Sequence, residues 1–249
     1  MDGYAKAVRL WRDFNIRTEA DIDLRLDSFR VLFAYNSGKI ENPEITYHDT
    51  REIFENGRVL SFTGSPRAIF EQRNQKLCYE YLKPKIIKRE PVSIGLIKEV
   101  HAILTGGTYD EKRYVQNGER PGEFKKHDYV IGVAEAGSLP GDVESDMSSL
   151  IGALDEFDGK DALKLGTYFH VRFEYIHPFA DGNGRAGRTL LNYFLMTHDH
   201  PPIIVYDEDK AEYYAALESY DRCEDYQAMY GFLQKETART WEKALKRRT

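Results

Sequence analysis

The sequence predicts a mainly α-helical fold. Apolar residues recur at spacings of three and four along most of the 249-residue chain, which is the period of a helix with one buried face. Short segments containing Gly, Pro or Asp separate these stretches, and there are no evident internal repeats or low-complexity segments. One run, Tyr129-Val130-Ile131, is β-prone and has glycines on both sides, so this segment is either a short hairpin or an irregular surface loop.

The first predicted helix covers residues 19–42. Its apolar stripe consists of Ile22, Leu26, Phe29 and Phe33. The helix should end near Asn42, because Pro43 disfavours helical geometry in the residue before it. A short helix is expected over residues 47–56, closed by Gly57.

A longer helix should begin after Ser65-Pro66, where serine can act as the cap and proline suits the first turn. Its predicted stripe consists of Ile69, Leu77 and Tyr81, and Pro84 should kink or end it. The remaining helices are predicted over residues 91–104, 142–157, 161–176, 184–197, 208–221 and 226–246.

Composition favours an ordinary globular protein, with 41% hydrophobic and 31% charged residues. The net charge of −6 argues against bulk binding to nucleic acid, which needs a basic face. Cys78 and Cys223 lie far apart and lack metal-ligand spacing, so reduced thiols are expected. Residues 1–15 resemble no signal peptide, and no apolar run is long enough to span a bilayer. We therefore expect a cytoplasmic protein that binds neither nucleic acid nor membrane.

Several side chains capable of catalysis or ligand binding lie close together in residues 177–188, which read His-Pro-Phe-Ala-Asp-Gly-Asn-Gly-Arg-Ala-Gly-Arg. The imidazole of His177 has an unperturbed pKa of about 6.5, so it can accept and return a proton near neutral pH. Asp181 supplies a hard oxygen, the ligand type that Mg²⁺ prefers. Gly182-Asn183-Gly184 can turn successive backbone N–H groups inward, which forms a nest that binds anions.

A helix is predicted directly after this nest, so the nest lies at a helix N-terminus, where free N–H donors suit phosphate. Arg185 and Arg188 are three residues apart and share one face of its first turns, although the helix dipole disfavours cations there. Two arginines in that place suggest an anion with several charges. Each part alone also occurs as a structural turn, but the whole string predicts a nucleotide site.

The string also resembles the signature of the Fic family, His-x-Phe-x-Asp/Glu-Gly-Asn-Gly-Arg-x-x-Arg, without departures. The resemblance implies a Fic-type helical bundle with a small β-hairpin flap beside the active site. It also implies a protein adenylyltransferase that transfers AMP from ATP to a Ser, Thr or Tyr hydroxyl. His177 would then be the catalytic base, Asp181 would bind Mg²⁺, and Gly182, Asn183, Gly184, Arg185 and Arg188 would bind the ATP phosphates.

The end of the first predicted helix carries a second short motif. Glu41 places a negative charge at the negative end of a helix dipole, which is either a tolerated surface charge or a partner for a cation. The segment from Ser37 to Asn42 resembles the inhibitory motif of one Fic class, Ser/Thr-x-x-x-Glu-Gly/Asn. That resemblance implies an ion pair between Glu41 and Arg188 that displaces the γ-phosphate. Gly38 is a poor helix former, so we expect this turn to fray easily.

Two further assignments follow from the resemblance. Tyr129, Val130 and Ile131 would belong to the flap that receives the target chain, although this chain has Gly122-Glu123-Phe124-Lys125 where relatives often have Gly-x-Tyr-Arg. Tyr213 and Tyr214 would house the adenosine, whereas on physical grounds alone they are two half-buried aromatics of an amphipathic helix.

The predicted organisation is an N-terminal helical region over residues 1–60, which carries the inhibitory motif, and a catalytic core over 61–249 with the Fido domain at roughly 93–235. The expected partners are ATP and a target protein with an acceptor hydroxyl, and another copy of this chain is one candidate target. The sequence leaves open whether the chain forms a homo-oligomer. The alternatives are a de-AMPylase, another phosphate-moiety transferase of the same fold, and a non-catalytic nucleotide-sensing module.

Overall fold

The computed structural model describes residues 2–59, 64–129, 137–155 and 161–247. Within these ranges the regular structure is helical and no strand occurs. The α-helices are α1 (Gly3–Asp13), α2 (Glu19–Glu41), α3 (Tyr47–Asn56), α4 (Pro66–Lys88), α5 (Ile94–Thr105), α6 (Val143–Asp155), α7 (Ala162–Ile176), α8 (Asn183–Thr197), α9 (Lys210–Cys223) and α10 (Gln227–Lys246). A π-helical turn spans Lys112–Gln116, and a 3₁₀ turn spans Asp207–Asp209.

Helix α8 lies at the centre of the bundle. Most of its side chains are buried on every face, as expected of a helix surrounded by others. Helix α7 packs along it, and α2, α4 and α5 also contact it. Because α7 ends at Ile176 and α8 begins at Asn183, the short connection between them lies at one end of this central pair.

The predicted helices are present, with shifted ends. Helix α2 begins after a capping box between Thr18 and Asp21 and ends at Glu41, as the stripe and Pro43 predicted. Helix α5 begins at Ile94 with Ser93 as its cap, three residues later than expected. Helix α1 was not predicted, and its buried side chains pack on α10.

Helix α4 differs from the prediction in two respects. Of the two outcomes expected at Pro84, the end of the helix does not occur: α4 continues to Lys88, since the buried Leu82 and Ile86 hold it on both sides of the proline. Leu77, predicted to be in the core, is 45% exposed. The face that packs inward instead carries several polar side chains, including Glu71, whose partners are described below.

Two of the predicted flap residues, Val130 and Ile131, lie outside the described residues. The segments on either side of the predicted flap are described, and both contact the connection between α7 and α8. No helix in the described ranges is both long enough and apolar enough to span a bilayer.

Candidate nucleotide site

His177 occupies the C-cap of α7 in the left-handed conformation, with φ of 50°. Its backbone N–H donates to the carbonyl of Phe173 at 3.0 Å, which closes the helix. Neighbouring segments hold the residues on both sides of it: Lys125 N–H donates to Pro178 O at 2.9 Å, and Ser138 N–H donates to Ile176 O at 3.0 Å. This backbone clamp fixes the direction in which the imidazole leaves the chain.

The imidazole of His177 is neutral at physiological pH. Burial lowers its pKa to about 3, and the nearby Lys125 ammonium acts in the same direction. The Asp181 carboxylate and a hydrogen bond with the backbone of Glu174 favour the protonated form, but burial outweighs them. A neutral imidazole can accept a proton, which is the state that a general base requires.

The loop from Phe179 to Asn183 is held by its own side chains. The Asn183 amide donates to Phe179 O at 2.7 Å and accepts from Phe179 N–H at 2.9 Å, so this side chain braces the loop and only its backbone faces the anion nest. Gly182 has φ of 81°, and a Cβ there would lie 2.5 Å from Cγ2 of Thr105. Glycine is therefore required both by the turn and by the close approach of α5.

His101 on α5 fixes this loop through hydrogen bonds and ring stacking. Its Nδ1 accepts from the N–H of Gly122 at 2.9 Å, so the ring proton must be on Nε2, which donates to Asp181 O at 2.8 Å. The ring stacks on Phe179 with centroids 3.6 Å apart and planes 2° apart. Burial lowers the pKa of His101 to about 4, so this neutral tautomer persists at physiological pH.

Arg188 on α8 is buried and faces the end of α2. Its Nη2 donates to Glu41 Oε1 at 2.8 Å and to Ser37 O at 2.9 Å, while its Nε donates to Ser37 Oγ at 3.0 Å. The ion pair expected between Glu41 and Arg188 is thus present. The carboxyl of Glu174 also approaches Arg188, but burial raises its pKa to about 8. Glu41 therefore supplies the negative charge that Arg188 faces.

The carboxylate of Glu41 also lies over the N-terminus of α8. A Cβ built on Gly184 would clash with Glu41 Oε1 and would lie 3.0 Å from Nη1 of Arg188. The glycine therefore leaves room for an oxyanion beside the free N–H donors and the arginine. In this structure that oxyanion is the side chain of Glu41.

Glu71 on α4 joins the remaining charged groups and was not predicted. Its Oε1 accepts from Arg67 Nε at 2.8 Å and lies 3.2 Å from Arg185 Nη1, and its Oε2 accepts from Asn42 Nδ2 at 3.1 Å. Arg67 in turn donates through Nη2 to Asp181 Oδ2 at 2.8 Å. A single buried carboxylate thereby connects the C-cap of α2 with the signature loop.

A cavity of about 270 Å³ opens over the loop. Its lining comprises Glu41, Arg67, Arg113, Tyr129, His177, Ala180, Asp181, Gly182, Asn183, Gly184 and Arg185. Within the described residues no group of three or more potential His, Cys, Asp or Glu ligands could hold a metal ion by itself. One carboxylate suffices where a nucleotide supplies phosphate oxygens, because Mg²⁺ keeps several waters and uses few protein ligands. Asp181 fits that role.

Residues 91–195 match the model of the Fic/DOC family. This segment includes the loop of residues 177–188, so the chain contains a Fic/DOC domain. Among solved structures, it resembles a Fic-domain signaling protein from Bacteroides thetaiotaomicron with a TM-score of 0.84 and 23% identity, over 98% of this chain and 96% of that one. It also resembles a fragment of Fic-1 from Caenorhabditis elegans with a TM-score of 0.80 and 24% identity, over 99% of this chain and 73% of that one. These two likenesses show a shared fold.

Curated relatives are similar over a large part of the chain. Protein adenylyltransferase Fic of Drosophila persimilis is 29% identical over 189 residues, which are 74% of this chain and 34% of that protein. Protein adenylyltransferase Fic of Nematostella vectensis is 29% identical over 192 residues, which are 74% of this chain and 41% of that protein. The chain thus spans about a third to two fifths of the length of these relatives.

The structure separates the two tyrosines assigned to adenosine from the lining of the Fic cavity. Tyr213 is buried, its hydroxyl lies 2.9 Å from Nε2 of His170, and its ring packs 5.8 Å from the Arg188 guanidinium. Tyr214 is 41% exposed on the same helix. Tyr213 therefore packs against Arg188 from the core, and adenosine contact by Tyr213 and Tyr214 stays a prediction.

Sequence reasoning missed several residues around the Fic loop: Arg67, Glu71, His101, Arg113 and Lys125. The signal for Glu71 was available, because it lies one turn after Arg67 and on the inward face of its helix, where an acidic side chain needs a partner. His101 contacts the carbonyl of Asp181, 80 residues away in sequence, and no local pattern indicates that contact. Gly38 also permits close packing at the end of α2, because a Cβ there would lie 2.8 Å from Ile45 Cδ1 and would clash with Gln72.

Proposed function

We propose that the chain is a protein adenylyltransferase, which transfers AMP from ATP to the Ser, Thr or Tyr hydroxyl of a target protein and is restrained by Glu41. The observation that carries this proposal is the shared cavity of His177 and the N-terminus of α8. A neutral imidazole and an anion nest open into one space of about 270 Å³, just below the range of about 300–1,000 Å³ that is typical of small-molecule sites. Relatives named as protein adenylyltransferases support the same chemistry.

In the proposed reaction the triphosphate lies along Gly182-Asn183-Gly184, where the backbone N–H donors at the start of α8 compensate its charge. His177 accepts the proton of the target hydroxyl, and the hydroxyl oxygen forms a bond to the α-phosphorus. The bond from that phosphorus to the bridging oxygen breaks, and pyrophosphate leaves with the electron pair. The base contributes about 10²–10⁴ to the rate, and positioning with charge neutralisation contributes the rest.

The charged groups of the cavity suit this reaction. The negative charge of a bound triphosphate opposes the effect of Lys125, so it raises the pKa of His177 towards the range useful for a base. Arg185 and Arg188 stabilise the departing phosphates. Mg²⁺ held by Asp181 would supply further neutralisation of phosphate charge when it is bound.

Glu41 is the proposed restraint. It occupies the oxyanion position between Arg188 and the N-terminus of α8, so a phosphate oxygen and this carboxylate compete for the same donors. The competition would keep the nucleotide from its productive place until α2 moves or Glu41 is removed. The proposed target meets the site next to Tyr129, whose hydroxyl is held by the buried Glu119 at 3.0 Å.

Radiolabelled ATP provides the test. We expect the Glu41→Gly variant to label itself or an added partner, the unmodified chain to label weakly, and the Glu41→Gly/His177→Ala variant to show no label. ATP labelled at the α-phosphate and ATP labelled at the γ-phosphate distinguish AMP transfer from phosphate transfer. Glu19→Gly, at the exposed start of the same helix, is the matched control for helix damage.

Three outcomes would contradict the proposal. Label from γ-phosphate rather than α-phosphate would indicate a kinase-like transfer. Equal labelling after removal of His177 would exclude the proposed base. Nucleotide binding without transfer by any variant, on any protein of a cell lysate, would favour a nucleotide-sensing module.

A further inference from the structure

A second and larger cavity, of about 600 Å³, lies at the opposite end of α8 from the Fic loop. The loop between α1 and α2, the end of α4 and the residues that follow α8 form its walls. Helix α8 contains 15 residues, so the two cavities are about 20 Å apart along its axis. No residue lines both cavities. The proposed transfer reaction uses none of this second site.

The second cavity is basic although the chain as a whole is acidic. Arg12, Arg17 and Arg89 line it, and the one acidic side chain in its lining is Asp199. Arg89 pairs with Asp199 at 2.5 Å, and the Arg17 Nε donates to Asn15 Oδ1 at 3.1 Å. These contacts hold two guanidinium groups at the rim, where planar N–H donors match carboxylate and phosphate oxygens.

Backbone conformations around this cavity are uncommon. Five non-glycine residues in the described ranges have positive φ, and three of them line this space: Asn15 (47°), Arg89 (53°) and Asp199 (54°). Arg89 caps α4 at a position where glycine is the usual residue, so an arginine there costs about 1 kcal/mol of backbone strain. Strained residues concentrate at functional sites, where surrounding structure holds them in place.

The floor of the cavity is partly apolar. Its accessible apolar surface belongs to the half-buried Ile16, Ile87 and Met196, whereas Trp11, Ile22 and Ile86 are almost completely buried. An inorganic anion would use the arginines and leave this floor unused, whereas an uncharged apolar molecule would leave the arginines without a partner. The volume lies within the range of small-molecule sites, about 300–1,000 Å³.

We propose that this cavity binds a small organic anion, a molecule with one carboxylate or phosphate on an apolar body. The acid group meets Arg12, Arg17 and Arg89, and the apolar body covers the half-buried side chains of Ile16, Ile87 and Met196. This site is independent of the proposed adenylyl transfer, and binding there is measurable whether or not the chain transfers AMP.

Tryptophan fluorescence of the full chain tests the site, because both tryptophans of the chain report from this region. Trp11 lines the cavity, and Trp241 lies 5.4 Å from it between ring centroids. The probes are phenyl phosphate, cyclohexanecarboxylate, inorganic phosphate and cyclohexanemethanol. The two organic anions should give a saturable change with a dissociation constant of about 1 mM, the value expected for ligands of this size. Comparison of the dissociation constants of cyclohexanecarboxylate and phenyl phosphate shows which acid group the site prefers.

The variants make the test specific. Arg12→Gln/Arg17→Gln should weaken binding of the organic anions at least about tenfold. Arg9→Gln, an exposed position on the same helix outside the lining, and Arg67→Gln, in the Fic cavity, should leave it unchanged. Both substituted residues of the double variant are exposed, so the fold should be retained, which circular dichroism checks.

Several results would overturn the assignment. One is the absence of a saturable fluorescence change up to about 10 mM of either organic anion. Another is an equal affinity of the double variant and the unmodified chain for these anions. A third is binding of cyclohexanemethanol as tight as that of the organic anions. Equal binding of inorganic phosphate would exclude a role of the apolar floor. Loss of the signal in Arg67→Gln but not in the double variant would place the ligand at the Fic loop instead.

Discussion

Replacement of Glu41 by glutamine should lower the stability of the free protein and raise its affinity for nucleotide. The side chain of Arg188 is 2% exposed and that of Glu41 is 34% exposed. Breaking a fully buried ion pair costs about 3–5 kcal/mol. Since Glu41 is partly solvated and both acceptors on Ser37 remain, we expect a loss of about 1–2 kcal/mol in the free energy of unfolding. For a chain of this size, that loss lowers Tm by about 3–6 °C.

The effect on nucleotide has the opposite sign. In the unmodified chain a phosphate must displace Glu41 from Arg188, and each 1.4 kcal/mol of that competition reduces affinity about tenfold. Removal of the carboxylate should therefore increase affinity for ATP about ten-fold or more. Urea denaturation measures the first quantity, and calorimetric titration with a non-hydrolysable ATP analogue and Mg²⁺ measures the second.

The critical result is that Glu41→Gln lowers the free energy of unfolding and raises the affinity for nucleotide at the same time. Glu19→Gln, an exposed residue in the first turn of α2, controls for the loss of one charge from the helix and should change either quantity by only a few tenths of a kcal/mol. If Glu41→Gln destabilises the chain but leaves the affinity for the analogue unchanged, Glu41 is a structural partner of Arg188 and not a competitor of phosphate.

Further predictions concern the loop, the metal and pH. Gly182→Ala should lower the free energy of unfolding by about 2 kcal/mol or more and abolish binding of the ATP analogue, whereas Gly57→Ala, which also has positive φ but open space around it, should cost about 1 kcal/mol and leave binding unchanged. Asp181→Asn should raise the Mg²⁺ concentration for half-maximal self-labelling at least about tenfold in the Glu41→Gly background, and an unchanged requirement would exclude Asp181 as the ligand. The chain should lose stability as pH falls from 6.5 to 4.5, which thermal denaturation at several pH values can measure. In this window the unfolded chain holds protons on histidines that burial keeps neutral in the folded state: His101, His170, His177 and His200. Two glutamates with raised pKa oppose this effect: Glu174 and Glu236. The four histidines outweigh the two glutamates, so the free energy of unfolding should fall by about 2 kcal/mol per pH unit. A free energy of unfolding that rises on acidification would contradict this prediction.

The positions of most helices could be predicted because their signals are local. The capping residues, the apolar stripe and Pro43 define α2 without reference to the rest of the chain. Helix α4 shows the limit of that reasoning, since Pro84 lies inside it and Leu77 faces solvent. The energy of packing Leu82 and Ile86 into the core outweighs the preference of one proline, and a local pattern contains no information about that packing.

The sequence by itself determined the chemistry of the loop: an imidazole, a carboxylate, an anion nest and two arginines lie within residues 177–188, close enough in the chain to be recognised as one motif. Only the tertiary structure decided what surrounds them. Glu71 and His101 lie 114 and 84 residues before Arg185, and only the packing of α4 and α5 on α8 brings them to the loop. The same packing buries Tyr213 behind Arg188 and places Glu41 over the start of α8. Burial and charge at such contacts are set by side chains distant in sequence. The motif could therefore be recognised from the sequence, whereas the contacts around it could be found only in the fold.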